Sequence, residues 1–204
     1  MAKKKSSKKP VRRKAPARKS AARRSGGSAR AAAPKGAPGA PAGRHTVIPQ
    51  LTLRETAKAI DFYKQAFGAK ELMRMPAPDG RAIWHAEILI GDSVVFLNDE
   101  MPQSPTTAPS PTHKPTGVLQ LYVKDCDAVF QSAVQAGARV GMPLADMFWG
   151  DRYGVVIDPF GQVWGIATHV KDLSPEEAKK AGQEWAAKNM PPGGQRSPQN
   201  QATY

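Results

Sequence analysis

The sequence has few of the features that are typical of secreted and membrane proteins, namely paired cysteines, long apolar runs and a secretory signal. Cys126 is the only cysteine among 204 residues, so no intrachain disulfide can form. No apolar run approaches the ~18–20 residues that span a bilayer, and the charged N-terminus has no apolar stretch behind it, as a secretory signal would. These absences predict a soluble, cytoplasmic protein without membrane association.

Acidic residues are missing altogether from residues 1–44. This segment holds eight Lys and seven Arg, a charge of +15, whereas the other 160 residues hold 15 basic and 17 acidic side chains, a net of −2. It also lacks aromatic residues, so it cannot bury enough surface to offset its ordering entropy. We therefore predict a disordered basic tail over 1–44. A second disordered tail is predicted over 191–204, where Pro, Gly, Gln and Asn dominate.

Clustered basic residues suit the first tail to contact with nucleic acid. Neutralising phosphates releases counterions, so the predicted contact is salt-sensitive and blind to sequence, and the lack of aromatic residues excludes base stacking. The alternative is a solvated tail that meets any polyanion weakly. The predicted contact residues are Lys3, Lys4, Lys5, Lys8, Lys9, Arg12, Arg13, Lys14, Arg23 and Arg24.

Between the tails, the chain contains an internal repeat. Residues 51–55 and 121–125 are both alternating strands that end in an acid. Each precedes a helical pattern of apolar residues that closes on a Gly-Ala pair, and three short extended segments with turn residues follow. The predicted fold is α+β, with two tandem β-α-β-β-β modules at about 46–100 and 116–170 in a domain that spans 45–173.

A C-terminal helix is predicted over 174–190. Ser174 suits the N-cap, Pro175 the first helical position and Glu177 the third, which is a capping-box arrangement. Because Ala178, Ala181 and Trp185 share one helix face, we expect Trp185 to anchor the helix to the body.

The doubled β-α-β-β-β unit resembles the vicinal-oxygen-chelate superfamily of glyoxalases, bleomycin-resistance proteins and dioxygenases. Residues 59–69 look like its first helix and residues 158–161 like the turn before its last strand, while residues 85–87 and 148–154 resemble the PhnB-like branch. The resemblance runs from about residue 47 to 170. It implies a cupped half-barrel sheet around a ligand cavity, and a homodimer whose partner chains complete or seal that cavity.

The sequence departs from this family at the metal site. Metal-dependent members carry His or Glu ligands at four fixed places, where this chain has Ile48, Phe96, Val118 and Gly165. None of these can coordinate a divalent cation, which needs several N or O donors at ~2 Å. The resemblance therefore implies no metal at the usual positions, no expected cofactor, and no ordinary glyoxalase or dioxygenase chemistry. A divalent metal held elsewhere is left open.

His85 and Glu87 are the candidate catalytic residues. Because strand residues alternate faces, these two side chains point together, away from Trp84. Such a pair is suited to acid–base chemistry, or to supplying two ligands to a displaced metal site. The alternative is a hydrogen-bonded structural pair inside a half-polar cup.

Residues 149–153 concentrate aromatic and charged side chains just before a strand. Arg152 is suited to clamp an anionic ligand, between aromatic walls. The alternative is an Asp151–Arg152 pair that ties the loop, with the rings packing a seam. The predicted ligand-binding residues are Trp84, Trp149, Asp151, Arg152, Tyr153, Trp164 and His169.

Three functions therefore remain open from the sequence. The first is a metal-independent small-molecule-binding protein of the glyoxalase/bleomycin-resistance type. The second is a lyase- or isomerase-like enzyme that uses His85 and Glu87. The third is a nucleoid-associated interaction protein that acts through its tail.

Overall fold

The computed structural model describes residues 39–190. Residues 1–38 and 191–204, which hold most of the basic tail and the whole C-terminal tail, lie outside the described residues, and so do all the predicted nucleic-acid contacts. No helix among residues 39–190 has the length and apolar character needed to cross a membrane. The elements are Gln50–Leu53 (β1), Thr56–Phe67 (α1), Lys70–Pro76 (β2), Ile83–Ile90 (β3), Ser93–Asp99 (β4), Leu119–Tyr122 (β5), Cys126–Gln135 (α2), Arg139–Asp146 (β6), Asp151–Ile157 (β7), Val163–His169 (β8) and Pro175–Asn189 (α3).

The strands form two sheets with the same topology, as the repeat predicts. In the first, β1 pairs parallel with β4, and β3 and β2 follow antiparallel. The second has the equivalent order β5-β8-β7-β6. Within residues 39–190 each sheet has its own four strands, and the modules meet through α1 and α2. The predicted α+β fold of two β-α-β-β-β modules is confirmed.

The repeat extends to the way each helix begins. The backbone N–H of Thr56, at the start of α1, donates to the Asp99 carboxylate at the end of β4, at 2.9 Å. The backbone N–H of Cys126, at the start of α2, donates to the Thr168 hydroxyl near the end of β8, also at 2.9 Å. In each module the last strand therefore satisfies a backbone donor that a helix start leaves free.

The apolar core crosses the boundary between the modules. Tyr63 and Phe67 of α1 pack against Trp164 of β8, with ring centroids 5.3 and 4.8 Å apart. The Tyr63 hydroxyl and the Trp164 indole N–H both donate to the buried carboxylate of Asp158, at 2.8 and 3.0 Å. A polar cluster inside the core is thus fully hydrogen-bonded, as burial requires.

The C-terminal helix forms as predicted. The Glu177 backbone N–H donates to the Ser174 hydroxyl at 3.3 Å, and the Ser174 backbone N–H donates to the Glu177 carboxylate at 2.8 Å, which completes the capping box. Trp185 contacts Phe148, with ring centroids 5.5 Å apart. Trp185 thus contacts the body as predicted, although it remains 39% exposed.

Candidate functional site

Each sheet has one face packed on its helix and one face turned away from it, which we call the open face. In β3, Ala86 and Ile88 are fully buried on the helix side, so the alternating residues His85 and Glu87 fall on the open face. In β8, Trp164 and Ile166 are buried in the same way. The open faces are where a ligand has access to the sheets.

The first open face carries His85 and Glu87 together, as the alternation predicts. His85 Nε2 lies 3.4 Å from Glu87 Oε1, and the His85 ring meets Phe96 edge-on with centroids 4.8 Å apart. Met73 and Met75 of β2 lie opposite Glu87 and His85 in register. The polar pair is therefore surrounded by an aromatic ring and thioether side chains.

Arg44 also belongs to the first open face, although no sequence pattern predicted it. Its guanidinium forms an ion pair with the Glu87 carboxylate, and the two side chains are only 19% and 13% exposed. In the sequence Arg44 is one more arginine of the basic segment. Only the folded structure distinguishes it, because no local pattern links residue 44 to a strand 43 positions later.

Asp151 is the centre of the second open face. Its buried carboxylate accepts hydrogen bonds from the Tyr122 hydroxyl at 2.8 Å, the Trp149 indole N–H at 3.0 Å and His169 Nδ1 at 2.8 Å. Burial alone would raise the pKa of Asp151, but the hydrogen bonds from His169, Tyr122 and Trp149 outweigh it and lower the pKa. The carboxylate is thus ionised and fixed in orientation.

Tyr122 was not predicted, although a signal for it existed. It alternates with Leu119 and Leu121 along β5, which pack against the core, so it had to face the open side. Its hydrogen bond to Asp151 raises the pKa of the Tyr122 hydroxyl. Tyr122 therefore remains a protonated donor at neutral pH.

Tyr153 occupies one of the places where the family resemblance puts a metal ligand. A Cβ on Gly165 would lie 2.8 Å from Cε2 of Tyr153 and 2.9 Å from its hydroxyl oxygen, so the ring lies against the bare backbone of Gly165. Trp149 meets the same ring edge-on at 5.7 Å. The equivalent place in the first sheet is Phe96, whose ring contacts His85.

These residues do not fit a divalent cation. Aromatic rings fill two of the four positions, and Ile48 and Val118 have no donor atom at the others. A displaced site at His85 and Glu87 would place a cation beside the Arg44 guanidinium. No group of three His, Cys, Asp or Glu side chains suited to a metal ion is present within residues 39–190.

Arg152 does not lie where an anion clamp would need it. It is opposite Thr168 in register, on the helix side of β7. There its Nε and Nη2 each donate to Asp127 at 2.7 Å, and its Nη1 donates to Asp146 at 3.2 Å. This geometry does not support the predicted ligand clamp, because Asp127 on α2 and Asp146 on β6 already pair with the guanidinium. The alternative of an Asp151–Arg152 pair is not supported either, since adjacent strand residues face opposite sides.

Two of the predicted ligand-binding tryptophans are not on the open faces. Trp164 is 1% exposed and belongs to the core beside Tyr63. Trp84 is 46% exposed but alternates with His85, so it lies on the other face of β3. The predicted residues that the structure brings together on the second open face are Trp149, Asp151, Tyr153 and His169.

His169 lies between two carboxylates. Its Nδ1 is 2.8 Å from Asp151 and its Nε2 is 3.0 Å from Asp172. The hydrogen bond with Asp151, followed by that with Asp172, raises the pKa of His169. Only the protonated imidazolium donates to both carboxylates at once. The cationic form therefore links β8 to the segment that leads into α3.

The charge on His169 should make stability depend on pH. Since the folded pKa is raised, its contribution is fully present below the unfolded value of about 6.5 and is lost as the pH rises through the folded value. We expect His169→Asn to lower the melting temperature more at about pH 5.5 than at about pH 9. Thermal melts at both pH values measure this.

The control for this experiment is His113→Asn. His113 lies in an exposed loop, where its ring meets the hydroxyls of Ser110 and Thr112 instead of carboxylates. Its replacement should show no such difference between the two pH values. An equal loss in His169→Asn at both pH values would contradict the imidazolium bridge.

Comparison with known proteins identifies the family. The family model described as Glyoxalase/Bleomycin resistance protein/Dioxygenase superfamily matches residues 44–166, and the chain belongs to this superfamily, as predicted. An uncharacterized protein of Mycobacterium bovis is 43% identical over 136 residues, which are 65% of this chain and 89% of that protein. The solved structure of TioX from Micromonospora sp. ML1 is 29% identical, with a TM-score of 0.50 over 61% of this chain and 98% of TioX. The PhnB protein from Bacillus cereus is 13% identical, with a TM-score of 0.49 over 61% of this chain and 99% of its own.

Proposed function

We propose that this chain binds a small organic molecule against its open faces without a metal at the family positions. The observation that carries this proposal is the cluster around Asp151. An ionised carboxylate is held by three donors, yet Tyr122 and Trp149 remain 62% and 36% exposed. Binding sites combine a few fixed polar groups with apolar and aromatic walls in this way.

A second copy of the chain is the proposed means of covering the open faces. Met73 and Met75 on the first open face are 37% and 47% exposed, and Tyr122 and Trp149 on the second open face are exposed as well. Exposed apolar surface of this kind on a folded domain marks an interaction or ligand-binding surface. We therefore expect a homodimer, and light scattering of the purified protein should give twice the 21.9 kDa of one chain.

A matched pair of tryptophan variants tests ligand binding. Compounds that raise the melting temperature of the wild-type protein in a metabolite screen should bind about 5- to 30-fold more weakly to Trp149→Ala, since a lost aromatic contact costs on the order of 1–2 kcal/mol. Trp84→Ala is the control, because Trp84 is similarly exposed on the opposite face of its sheet. If Trp84→Ala lost binding, or if both variants bound as tightly as the wild type, a site at the second open face would be contradicted.

Proton-transfer catalysis is the second candidate, because His85 and Glu87 share a face at 3.4 Å. The bound compounds decide between binding and catalysis. Chemical conversion of such a compound by the wild-type protein, lost in His85→Asn, would establish a lyase- or isomerase-like enzyme. Recovery of the compounds unchanged would support the binding protein.

Contact with nucleic acid through the basic tail is a separate proposal, which the composition of residues 1–44 supports. Binding of a DNA duplex should weaken steeply as salt rises. Removal of residues 1–38, which leaves Arg44 in place, should abolish it. Unchanged affinity in the shortened protein would show that the tail is not the contact.

A further inference from the structure

Glu87 is a carboxylate that needs a cation. Its side chain is 13% exposed on the first open face, between Phe96 of β4 and Met73 of β2 in register. His85 is its neighbour on the same strand, but the 3.4 Å separation is long for a hydrogen bond between these groups. A largely desolvated carboxylate is costly unless a cation or several donors meet it. In this structure Arg44 supplies that cation.

The segment that carries Arg44 makes few backbone hydrogen bonds to the sheet. We call residues 39–49 the N-terminal strap. Among the described residues, its backbone hydrogen bonds are one internal turn, from Arg44 N–H to the Pro41 carbonyl, and one at its end, from Phe96 N–H to the Pro49 carbonyl. Val47, within the strap, is 81% exposed. The Arg44 side chain is buried against the open face and ion-paired there, whereas a single backbone hydrogen bond ties the strap to the sheet among the described residues. Displacement of the strap would therefore break few backbone hydrogen bonds of the module.

The guanidinium of Arg44 is also incompletely satisfied. Within residues 39–190 its Nη2 meets Glu87, and its Nη1 reaches only the nearby carbonyl of Ala42 at 3.4 Å. Its Nε is buried without a hydrogen-bond partner among the described residues. Arg44 therefore neutralises Glu87 at the expense of a buried donor, which makes it a poor permanent occupant of this site.

We propose that Glu87, His85 and Phe96 form a site for the cationic group of an organic ligand, such as an amine or amidine, and that Arg44 occupies this site until the ligand displaces it. A ligand that removes the strap also removes the Arg44 cation and leaves Glu87 with only the more distant His85 ring, 3.4 Å away, among the described residues, which favours a ligand that brings a positive charge of its own. The Phe96 ring beside the carboxylate favours a cation over a neutral group. This proposal rests on the proposed function, because it names the ligand class for one of the two open faces.

The opposite assignment is that Arg44 is itself part of the site. In that case its unpartnered Nε would donate to an anionic ligand, and the strap would stay in place. The two assignments predict opposite effects of removing Arg44, so one set of variants separates them.

The test uses the full-length protein and three probes of equal size: benzamidine, which is cationic, benzamide, which is neutral, and benzoate, which is anionic. Dissociation constants come from titration calorimetry or from NMR shifts. The variants are Arg44→Ala, Arg44→Lys and Glu87→Gln. Arg54→Ala and Glu100→Gln are the matched controls, because Arg54 and Glu100 form an ion pair at 3.1 Å outside this site. All variants keep the basic tail, so its attraction for benzoate is the same throughout.

We expect benzamidine to bind better than benzamide or benzoate. Arg44→Ala should tighten benzamidine binding at least tenfold by removing the competitor, while Arg44→Lys, which keeps a competing cation, should stay near the wild type. Glu87→Gln should weaken binding at least tenfold, and the two controls should leave it unchanged. Because Arg44→Lys and Glu87→Gln change side-chain volume little, the comparison does not depend on Arg44→Ala alone.

Several outcomes would overturn the proposal. Preference for benzoate that is lost in Arg44→Ala would make Arg44 an anion ligand. Equal benzamidine affinity in the wild type and Glu87→Gln would remove Glu87 from the site, and so would the absence of saturable benzamidine binding to Arg44→Ala. None of these results affects the comparison of Trp149→Ala with Trp84→Ala, because that comparison tests the second open face with other compounds. The proposed function and the cation site can therefore fail separately.

Discussion

Replacing Gly150 with alanine should lower the free energy of unfolding by about 2–5 kcal/mol. Gly150 has a φ of 98°, a conformation that alanine rarely adopts. An added Cβ would also lie 2.1 Å from the backbone carbonyl oxygen of Lys171. That carbonyl cannot rotate away, because the backbone N–H groups of Val170 and Lys171 both donate to the Gly150 carbonyl, at 3.0 and 2.9 Å. The methyl group must therefore push apart the two segments that flank Asp151 and His169.

Denaturant unfolding measures this loss, and Gly117→Ala is the control. A Cβ on Gly117 has no atom within 4 Å, so its replacement should change the free energy of unfolding by less than about 1 kcal/mol. If the two variants were equally stable, the close approach of Gly150 to Lys171 would not exist in solution.

Replacing Asp158 with asparagine should cost about 2–4 kcal/mol of stability, because buried donors lose a charged acceptor. One carboxylate oxygen accepts the backbone N–H groups of Phe160 and Gln162, both at 2.9 Å. The other accepts the Tyr63 hydroxyl and the Trp164 indole N–H. An amide in this place has one oxygen for four donors, and its NH₂ group would face two of them. Buried donors would lose their acceptor in the middle of the core.

Asp92→Asn provides the comparison for Asp158→Asn. Asp92 is an exposed turn residue whose carboxylate accepts the Ser93 hydroxyl at 2.9 Å, so its replacement should fall within about 0.5 kcal/mol of the wild type. Melting and denaturant curves of both variants give the difference. A loss below about 1 kcal/mol for Asp158→Asn would mean that the four donors find other partners.

The sequence predicted the fold well because its signals are local. The strand-end acids, the helices that close on Gly-Ala and the capping box at Ser174 each act within a few residues, and the repeat doubles the evidence for the first two. The shared face of His85 and Glu87 was predictable for the same reason, since the alternation along a strand is a local property.

The face of Trp84 and that of Tyr122 follow from local alternation and were open to prediction, whereas the other errors and omissions involve long-range partners. Arg152 could not be assigned to a face without the register of β7, and its partner Asp127 lies on α2, 25 residues earlier. Trp164 lies in the core because Tyr63, on α1 of the other module, packs against it. Arg44 reached Glu87 across 43 residues. Composition and periodicity carry no information about such pairs.

The aromatic cluster of Tyr63, Phe67 and Trp164 has a consequence for how the duplicated halves fold. Each half contains all the strands of its own sheet, which would suggest two autonomous folding units. However, the first half supplies two rings and a hydroxyl to a cluster whose indole and carboxylate belong to the second. Either half folded alone would expose large aromatic rings to water. We therefore expect residues 39–190 to unfold in one cooperative transition.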